Sequence, residues 1–471
     1  MSETTLVAPA PPNHPPNARP PGPKGHPIYG VLWEFHADPV AFQERIVGTY
    51  GDIARFRFFH LPVYLLANPD DIRTVLADPE GAFVKGMALD GFRPLVGKGL
   101  LLNEGDSHRR QRRMMQPAFH RQRVAGYGEV MLEEAQRVSA KWAAAVASGR
   151  AQVDMDTEMN RLTLTIAART LFGAGITDTE ASDVAEAMSA FTQWYHQSTH
   201  PMGALLQALP TEATRSFKAA KKKLGAVVDR MIKARREGGD TGDILSMLVF
   251  ARDAEGDGTP GTIGGGMSNE HVHDEAITLL VAGHETTGAT LAWAWALLAR
   301  HPEVATRLRA ELDAVLGDRA PTVEDAPKLD YARNVFAEAL RLYPSATALP
   351  RQAVKPVVLG GYTVPKGAIV MCAAWACHHD PRFWDDPQAF RPERWTAEGK
   401  ATRPKFAFFP FGGGARVCIG EAFAWMEGTL LLATLARQWS ASVAPGHTVV
   451  PEALFTVRPK GGLPMVLAPR V

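Results

Sequence analysis

The chain has 471 residues, a length that on its own predicts about three domains of roughly 150 residues each. Basic and acidic residues number 51 and 50, a net charge of +1, so no bulk cationic field marks a nucleic-acid binder. Hydrophobic residues make up 46%, too many for a disordered chain, and three cysteines (Cys372, Cys377, Cys418) cannot frame a disulfide scaffold of this size. A reducing, cytoplasmic compartment is the expectation.

In chain order, residues 1–27 come first and carry nine prolines. They lack the basic start and apolar stretch of a signal peptide, and proline supplies no N–H and resists helix, so an extended, flexible tail is predicted. Beyond it, amphipathic periodicity predicts helices over 125–147, 181–200, 212–237, 268–300, 302–316 and 331–343. Strand-like runs are short: Ile53–Phe59, Val63–Ala67, Val357–Val364 and Ala368–Ala373. The glycine-rich stretch Gly256–Gly266 lacks the preceding strand and the Gly-Lys-Ser/Thr of a phosphate-binding loop, and reads as a connector before Ser268, a helix N-cap. The most apolar run, Ala276–Leu298, is interrupted by Gly283-His284-Glu285-Thr286-Thr287-Gly288. Charged groups are costly at mid-bilayer, so this is a buried helix rather than a membrane span. With no internal repeat or linker, the prediction is a mainly α fold with small β-sheets, in one catalytic domain over residues 28–471.

The most informative segment is Phe411-Gly412-Gly413-Gly414-Ala415-Arg416-Val417-Cys418-Ile419-Gly420. The apolar spacing of Phe423, Met426 and Leu430 predicts a buried helix directly after it, which puts Cys418 at a loop-to-helix junction. Free amides and the helix dipole stabilise a thiolate there, the metal-binding form of the side chain. The glycines permit positive φ and close approach of the backbone to something flat and large, and Arg416 offers a fixed charge to an acidic group on it. The competing reading is a cysteine buried as a small hydrophobe. Zinc does not fit, because Cys372 and Cys377 lack a finger's spacing to Cys418.

The pattern F-x-x-G-x-R-x-C-x-G resembles the haem-binding signature of the cytochrome P450 family. The resemblance implies a helical prism with a β-rich lobe, and haem b (iron protoporphyrin IX) as cofactor. Cys418 would be the axial thiolate ligand of its iron, donating electron density that favours O–O cleavage.

Three other segments match the family in order. Glu338-Ala339-Leu340-Arg341 is by itself an ordinary i,i+3 surface pair. With Pro392-Glu393-Arg394-Trp395 following, it resembles the family's buried structural network, implying Glu338, Arg341 and Arg394 as members. Ala282-Gly283-His284-Glu285-Thr286-Thr287 is not an H-E-x-x-H zinc motif, because Gly288 stands at the fifth position. It resembles the distal helix of the family. Ala282 and Gly283 would leave room for dioxygen and substrate, Thr286 would handle hydrogen bonds there, and Glu285 would relay protons from solvent. Ser107-His108-Arg109-Arg110-Gln111-Arg112-Arg113 reads as a solvated basic helix face. By resemblance, His108 and Arg112 take the positions that contact haem propionates, with His108 departing from the usual tryptophan, and Arg351 matches another propionate position. The remaining arginines would form a face for an acidic electron donor. His378-His379 and the pair His271 and His273 are assigned to no site.

The resemblance implies a monooxygenase that places one atom of dioxygen into a small hydrophobic substrate, a fatty acid, terpenoid, steroid or macrocycle. Its pocket would draw on Met87–Val96, residues 190–210, Ala282, Thr286, Ala346–Leu349 and Leu454–Val457. Too few residues follow Cys418 for a reductase domain, so a separate ferredoxin or flavodoxin with its reductase is implied, fed ultimately by NAD(P)H. Pro20-Pro21-Gly22-Pro23 resembles the proline hinge that follows a membrane anchor in microsomal relatives; none precedes it, and a soluble enzyme is expected. Two alternatives stay open: a haem-thiolate peroxygenase or isomerase, and a non-catalytic haem-binding sensor.

Overall fold

Ile53–Phe58 and Leu61–Leu66 are rich in β-branched and aromatic residues, and they pair antiparallel from Ile53 opposite Leu66 to Phe58 opposite Leu61. They edge a five-stranded sheet in the order Ile53–Phe58, Leu61–Leu66, Ile369–Cys372, Leu349–Ala353, Phe83–Val84. Ile369–Cys372 lies inside it, parallel to Leu61–Leu66, and all four of its residues are buried. A strand covered on both faces reads as an unbroken apolar run. Upstream, the Arg55 amide donates to the Pro21 carbonyl at 2.9 Å and the Val31 amide to Arg57 at 3.0 Å. Proline still accepts hydrogen bonds through its carbonyl.

The computed structural model describes residues 15, 18–173, 176–198, 203, 206, 209–250 and 267–470. The connector expected at Gly256–Gly266 and most of the proline-rich start lie outside them. The chain divides into two compact units. The first takes the sheet just described, with residues up to Ala88, Thr347–Asp385 and Pro404–Arg416; the second takes Leu89–Ala346, Asp386–Arg403 and Val417 onward.

The second unit is built on the helix Asn269–Arg300. Ser268 caps it as predicted, its hydroxyl accepting from the His271 amide at 3.2 Å. Most of its side chains are buried, including Trp293, Trp295 and every residue from Ala289 to Leu298. The helix Met155–Phe172 packs along it where Gly288 leaves room: a Cβ there would stand 2.9 Å from the Asn160 Cα. Trp142 meets Trp295 and Trp439 edge-on, ring centroids 6.1 and 5.9 Å apart. Each such edge-on pair contributes about 0.5–1.5 kcal/mol beyond its burial.

The six predicted helices are present as Arg121–Ala147, Asp178–Ser198, Glu212–Gly238, Asn269–Arg300, Pro302–Leu316 and Asp330–Leu342. Among the differences from the sequence reading, two bear on the core. Val357–Val364 is not one strand but a hairpin of Val357–Leu359 and Tyr362–Val364, turning on Gly360 and Gly361 with φ of 54° and 80°. Met155–Phe172 was not anticipated, because its buried face includes Asp156, Thr163 and Thr170. The two threonines satisfy their hydroxyls on carbonyls four residues back, so polar residues occupy core positions and blur the apolar period. No helix of the described residues is long and apolar enough to cross a membrane.

Candidate functional site

The glycine loop belongs to the first unit up to Arg416. Gly412 and Gly414 take φ of 75° and 64°, which L side chains rarely adopt. A Cβ on Gly413 would stand 2.7 Å from the Phe406 ring, and one on Gly414 would stand 2.7 Å from the Ala77 Cα. At Gly413 and Gly414 the close approach is to protein, the Phe406 ring and the end of the helix Pro69–Ala77. A half-buried Arg416 ends the short turn Gly414–Arg416. Arg351, also of this unit, is 5% exposed on the strand Leu349–Ala353, opposite Val370, and donates from Nη1 to the Pro350 carbonyl at 2.9 Å.

In the second unit Cys418 stands exposed, two residues before Gly420 and the helix Glu421–Gln438. Cys372 and Cys377 are buried; burial pushes the Cys372 thiol up to about 12 and raises that of Cys377 as well. Of the three cysteines, Cys418 is the one accessible to a ligand-bound metal. Arg112, on the helix Gly105–Met115, donates from Nη1 to the Val417 carbonyl at 2.7 Å. Burial lowers the proton affinity of its guanidinium, and the charge of the Cys418 sulfur works against that. His108 lies one turn earlier on this helix and is buried.

Within the buried run of the long helix, Ala282 is exposed and Gly283 and Thr286 are half-buried. The Thr286 hydroxyl donates to the Ala282 carbonyl at 3.0 Å, and the Thr286 carbonyl accepts from Ser345 Oγ at 3.1 Å. The neighbouring Glu285 faces other partners: Oε1 accepts from Thr456 Oγ1 at 3.1 Å, and Arg458 Nη1 lies 3.9 Å away. Burial pushes its carboxyl up to about 7, opposed by Arg458 and Thr456. His284 is buried with Nδ1 2.7 Å from the Leu280 carbonyl, and burial pushes it down to about 4. The sequence named Glu285 and Thr286 together; the structure places their side chains in different polar surroundings. Arg458 carried no signal, being a single polar residue in a short C-terminal strand, and Thr456 was marked only as part of the expected pocket segment Leu454–Val457.

Glu338 is fully buried and its carboxylate collects five donors. Arg341 grips it with Nε at 3.0 Å and Nη2 at 2.7 Å, and Arg394 Nε reaches it at 3.1 Å. The Trp395 indole donates at 2.9 Å and the Arg391 amide at 3.2 Å. Arg341 also donates to the carbonyls of Pro387 and Ala389 at 2.8 and 3.2 Å. The three residues singled out in the sequence thus meet; the indole and the carbonyls were not legible there.

Of the expected pocket segments, three converge in the second unit as an aromatic cluster. The Phe92 ring lies 5.0 Å from Tyr195 and 5.4 Å from Phe455, and Phe191 lies 5.8 Å from Tyr195. Residues 199–202, 204, 205, 207 and 208 of the expected pocket lie outside the described residues.

Within the second unit, an exposed thiol before a buried helix, an arginine tied to the residue before it, and small residues left open on an otherwise buried helix form a donor set that suits haem with a thiolate ligand. Together with a mainly helical fold and small sheets, they define a haem-thiolate oxidoreductase. The sequence profile of the cytochrome P450 family matches residues 20–463, and the chain belongs to that family. It is 36% identical to cyclooctat-9-en-7-ol 5-monooxygenase of Streptomyces melanosporofaciens, over 100% of both chains. It is 32% identical to pentalenene oxygenase of Streptomyces avermitilis, over 92% of this chain and 93% of that one. The crystal structure of the cytochrome P450DA heme domain superposes with a TM-score of 0.83 at 27% identity, covering 96% of this chain and 98% of that one. The protein is a cytochrome P450 monooxygenase, using haem, dioxygen, a redox partner and a hydrophobic substrate.

Proposed function

We propose that this enzyme hydroxylates a terpenoid, with Cys418 as the thiolate that holds the haem iron. The observation that carries the ligand assignment is the exposed Cys418 at the start of a buried helix, its preceding carbonyl tied to Arg112. Haem held by a thiolate supplies dioxygen activation and oxygen-atom transfer to an unactivated C–H bond. The chain's own residues do the rest. Arg112, Arg351 and Arg416, with His108, balance the carboxylates of the cofactor; a guanidinium fork suits a carboxylate. Ala282 and Gly283 keep space open beside the helix. Thr286 offers a hydroxyl that both donates and accepts. Glu285, with its carboxyl near 7, holds or gives a proton at neutral pH. Glu338, Arg341 and Arg394 serve structure rather than chemistry.

Two relatives are named for terpenoid oxidations, and the rings of Phe92, Tyr195 and Phe455 offer an apolar wall suited to a polycyclic hydrocarbon skeleton. Electrons come from a separate ferredoxin or flavodoxin with its reductase, drawing on NAD(P)H. Residues 28–471 act as one catalytic domain in the cytoplasm, in keeping with the cysteine usage. The test is reconstitution with a ferredoxin, its reductase and NAD(P)H, after a spectral screen of cyclic terpenes, steroids and fatty acids. Product from a terpene with dioxygen and reductant supports the reading. Binding of fatty acids or steroids alone overturns the substrate class, and turnover with peroxide but never with reductant makes the enzyme a peroxygenase.

A further inference from the structure

Glu285 is one corner of a buried polar circuit. Thr456 Oγ1 donates to its Oε1 at 3.1 Å, and Arg458 Nη1 stands 3.9 Å from the same oxygen. Arg458 is itself held: Nε and Nη2 donate to Asp156 Oδ2 at 3.2 and 2.6 Å. Asp156 Oδ1 accepts from Asn160 Nδ2 at 3.0 Å, and Asn160 packs on Gly288, one turn beyond Glu285. The circuit joins the helix Met155–Phe172, the helix Asn269–Arg300 and the strand Val457–Pro459. Two of its buried acceptors, Glu285 Oε2 and Asn160 Oδ1, have no hydrogen-bond partner among the described residues.

We propose that Arg458, anchored by Asp156, is a positioning residue for proton delivery: it orients Glu285 through Oε1, leaves Oε2 to meet the proton's path, and sets how readily the carboxyl gives up its proton. The inference rests on the reading of Glu285 as a proton carrier. The charged and titratable groups around Glu285 are few. Arg458 comes from the C-terminal strand, and Asp156 from the packed helix, with Asp154 behind it. His284 comes from its own helix, and burial keeps it neutral at neutral pH. A carboxyl this buried with no cation nearby would stay protonated, and one facing an unopposed guanidinium would stay ionised. Neither exchanges protons well at neutral pH. Arg458 already paired to Asp156 is the intermediate case: its charge is felt, but largely compensated.

The experiment is an infrared titration of the Glu285 carboxyl in the purified holoenzyme, its band assigned by loss in Glu285→Gln. Arg458→Gln leaves Glu285 beside Asp156 alone and should raise the midpoint by about one pH unit or more. Asp156→Asn releases Arg458 to Glu285 and should lower it. A purely structural role moves neither midpoint, or both the same way, and either result overturns the proposal. If Asp156→Asn does not fold, Arg458→Lys carries the test: lysine must bring the midpoint back toward the parent, and failure to do so overturns the proposal. Coupling of reductant to product is followed across pH in parallel. Carboxyl midpoints that shift as expected while coupling stays put confirm the positioning and instead refute Glu285 as the proton carrier.

Discussion

Arg112 Nη1 and the carbonyl oxygen of Val417 meet at 2.7 Å, although 305 positions separate them in the chain. The bond ties the basic helix Gly105–Met115 to the residue immediately before Cys418. Arg112 therefore orders the cysteine segment, beside its proposed role of offering charge to a haem carboxylate. Arg112→Ala should cost about 1.5–3 kcal/mol, the usual worth of a charge-assisted hydrogen bond. It should also lower haem content per chain, measured by absorbance against protein, whereas Arg109→Ala on the exposed face should leave haem content unchanged.

Cys418→Ser should abolish the red-shifted ferrous–CO band and all turnover, because a hydroxyl is a far weaker donor to iron than a thiolate. Cys372→Ala, in a buried cysteine whose thiol burial keeps protonated, should retain the band. A Cys418→Ser enzyme with full activity would refute the ligand assignment.

The Thr286 hydroxyl returns to the Ala282 carbonyl at 3.0 Å, so it is already oriented along the open side of the helix. Thr286→Ala should still consume reductant while releasing more peroxide and less product, with Thr286→Ser close to the parent. Peroxide and product are measured against NAD(P)H consumed; unchanged coupling in the alanine variant would remove Thr286 from proton handling.

Glu338 carries five donors with no solvent to replace them. Glu338→Ala strands two guanidinium groups and an indole, and should cost about 3–5 kcal/mol, read as a lowered denaturant midpoint. Arg341→Lys should not rescue fully, since an ammonium cannot reproduce the fork that also reaches Pro387 and Ala389.

Glu275 gives a pH dependence. One oxygen accepts from the Leu100 amide at 2.9 Å and the other is buried without a hydrogen-bond partner among the described residues; burial pushes the carboxyl up to about 8. A folded-state value above the unfolded one means that the stabilisation is fully present below about 4.5 and is lost as pH rises through about 8. Unfolding free energy should therefore fall across that window, and Glu275→Gln should flatten the fall. A parent and variant with the same slope would refute the buried, protonated carboxyl.

Much of the proposed site is written in residue order, because its residues are concentrated in short contiguous segments. The cysteine loop, the distal-helix hexapeptide and the E-x-x-R pair each carry their spacing within one turn or loop. What escaped were partners brought from elsewhere in the chain. Trp395 is an unremarkable indole until its N–H reaches Glu338. Asp156 and Arg458 are 302 positions apart and yet share a hydrogen bond. Gly413 and Gly414 signalled close approach correctly, but the sequence could not say that Phe406 and Ala77 would be what approached.

The sequence by itself determined the class of protein: a cysteine at a helix start, a polar interruption in an apolar helix, and the mainly helical fold that holds them. These follow from local rules, in which capping, periodicity and turn geometry act over a few residues. Tertiary structure alone decided how charged the buried groups are and which way they face. Burial and neighbouring charge set the proton affinities of Glu285, His284 and Glu275, and those are properties of packing, which no single segment encodes.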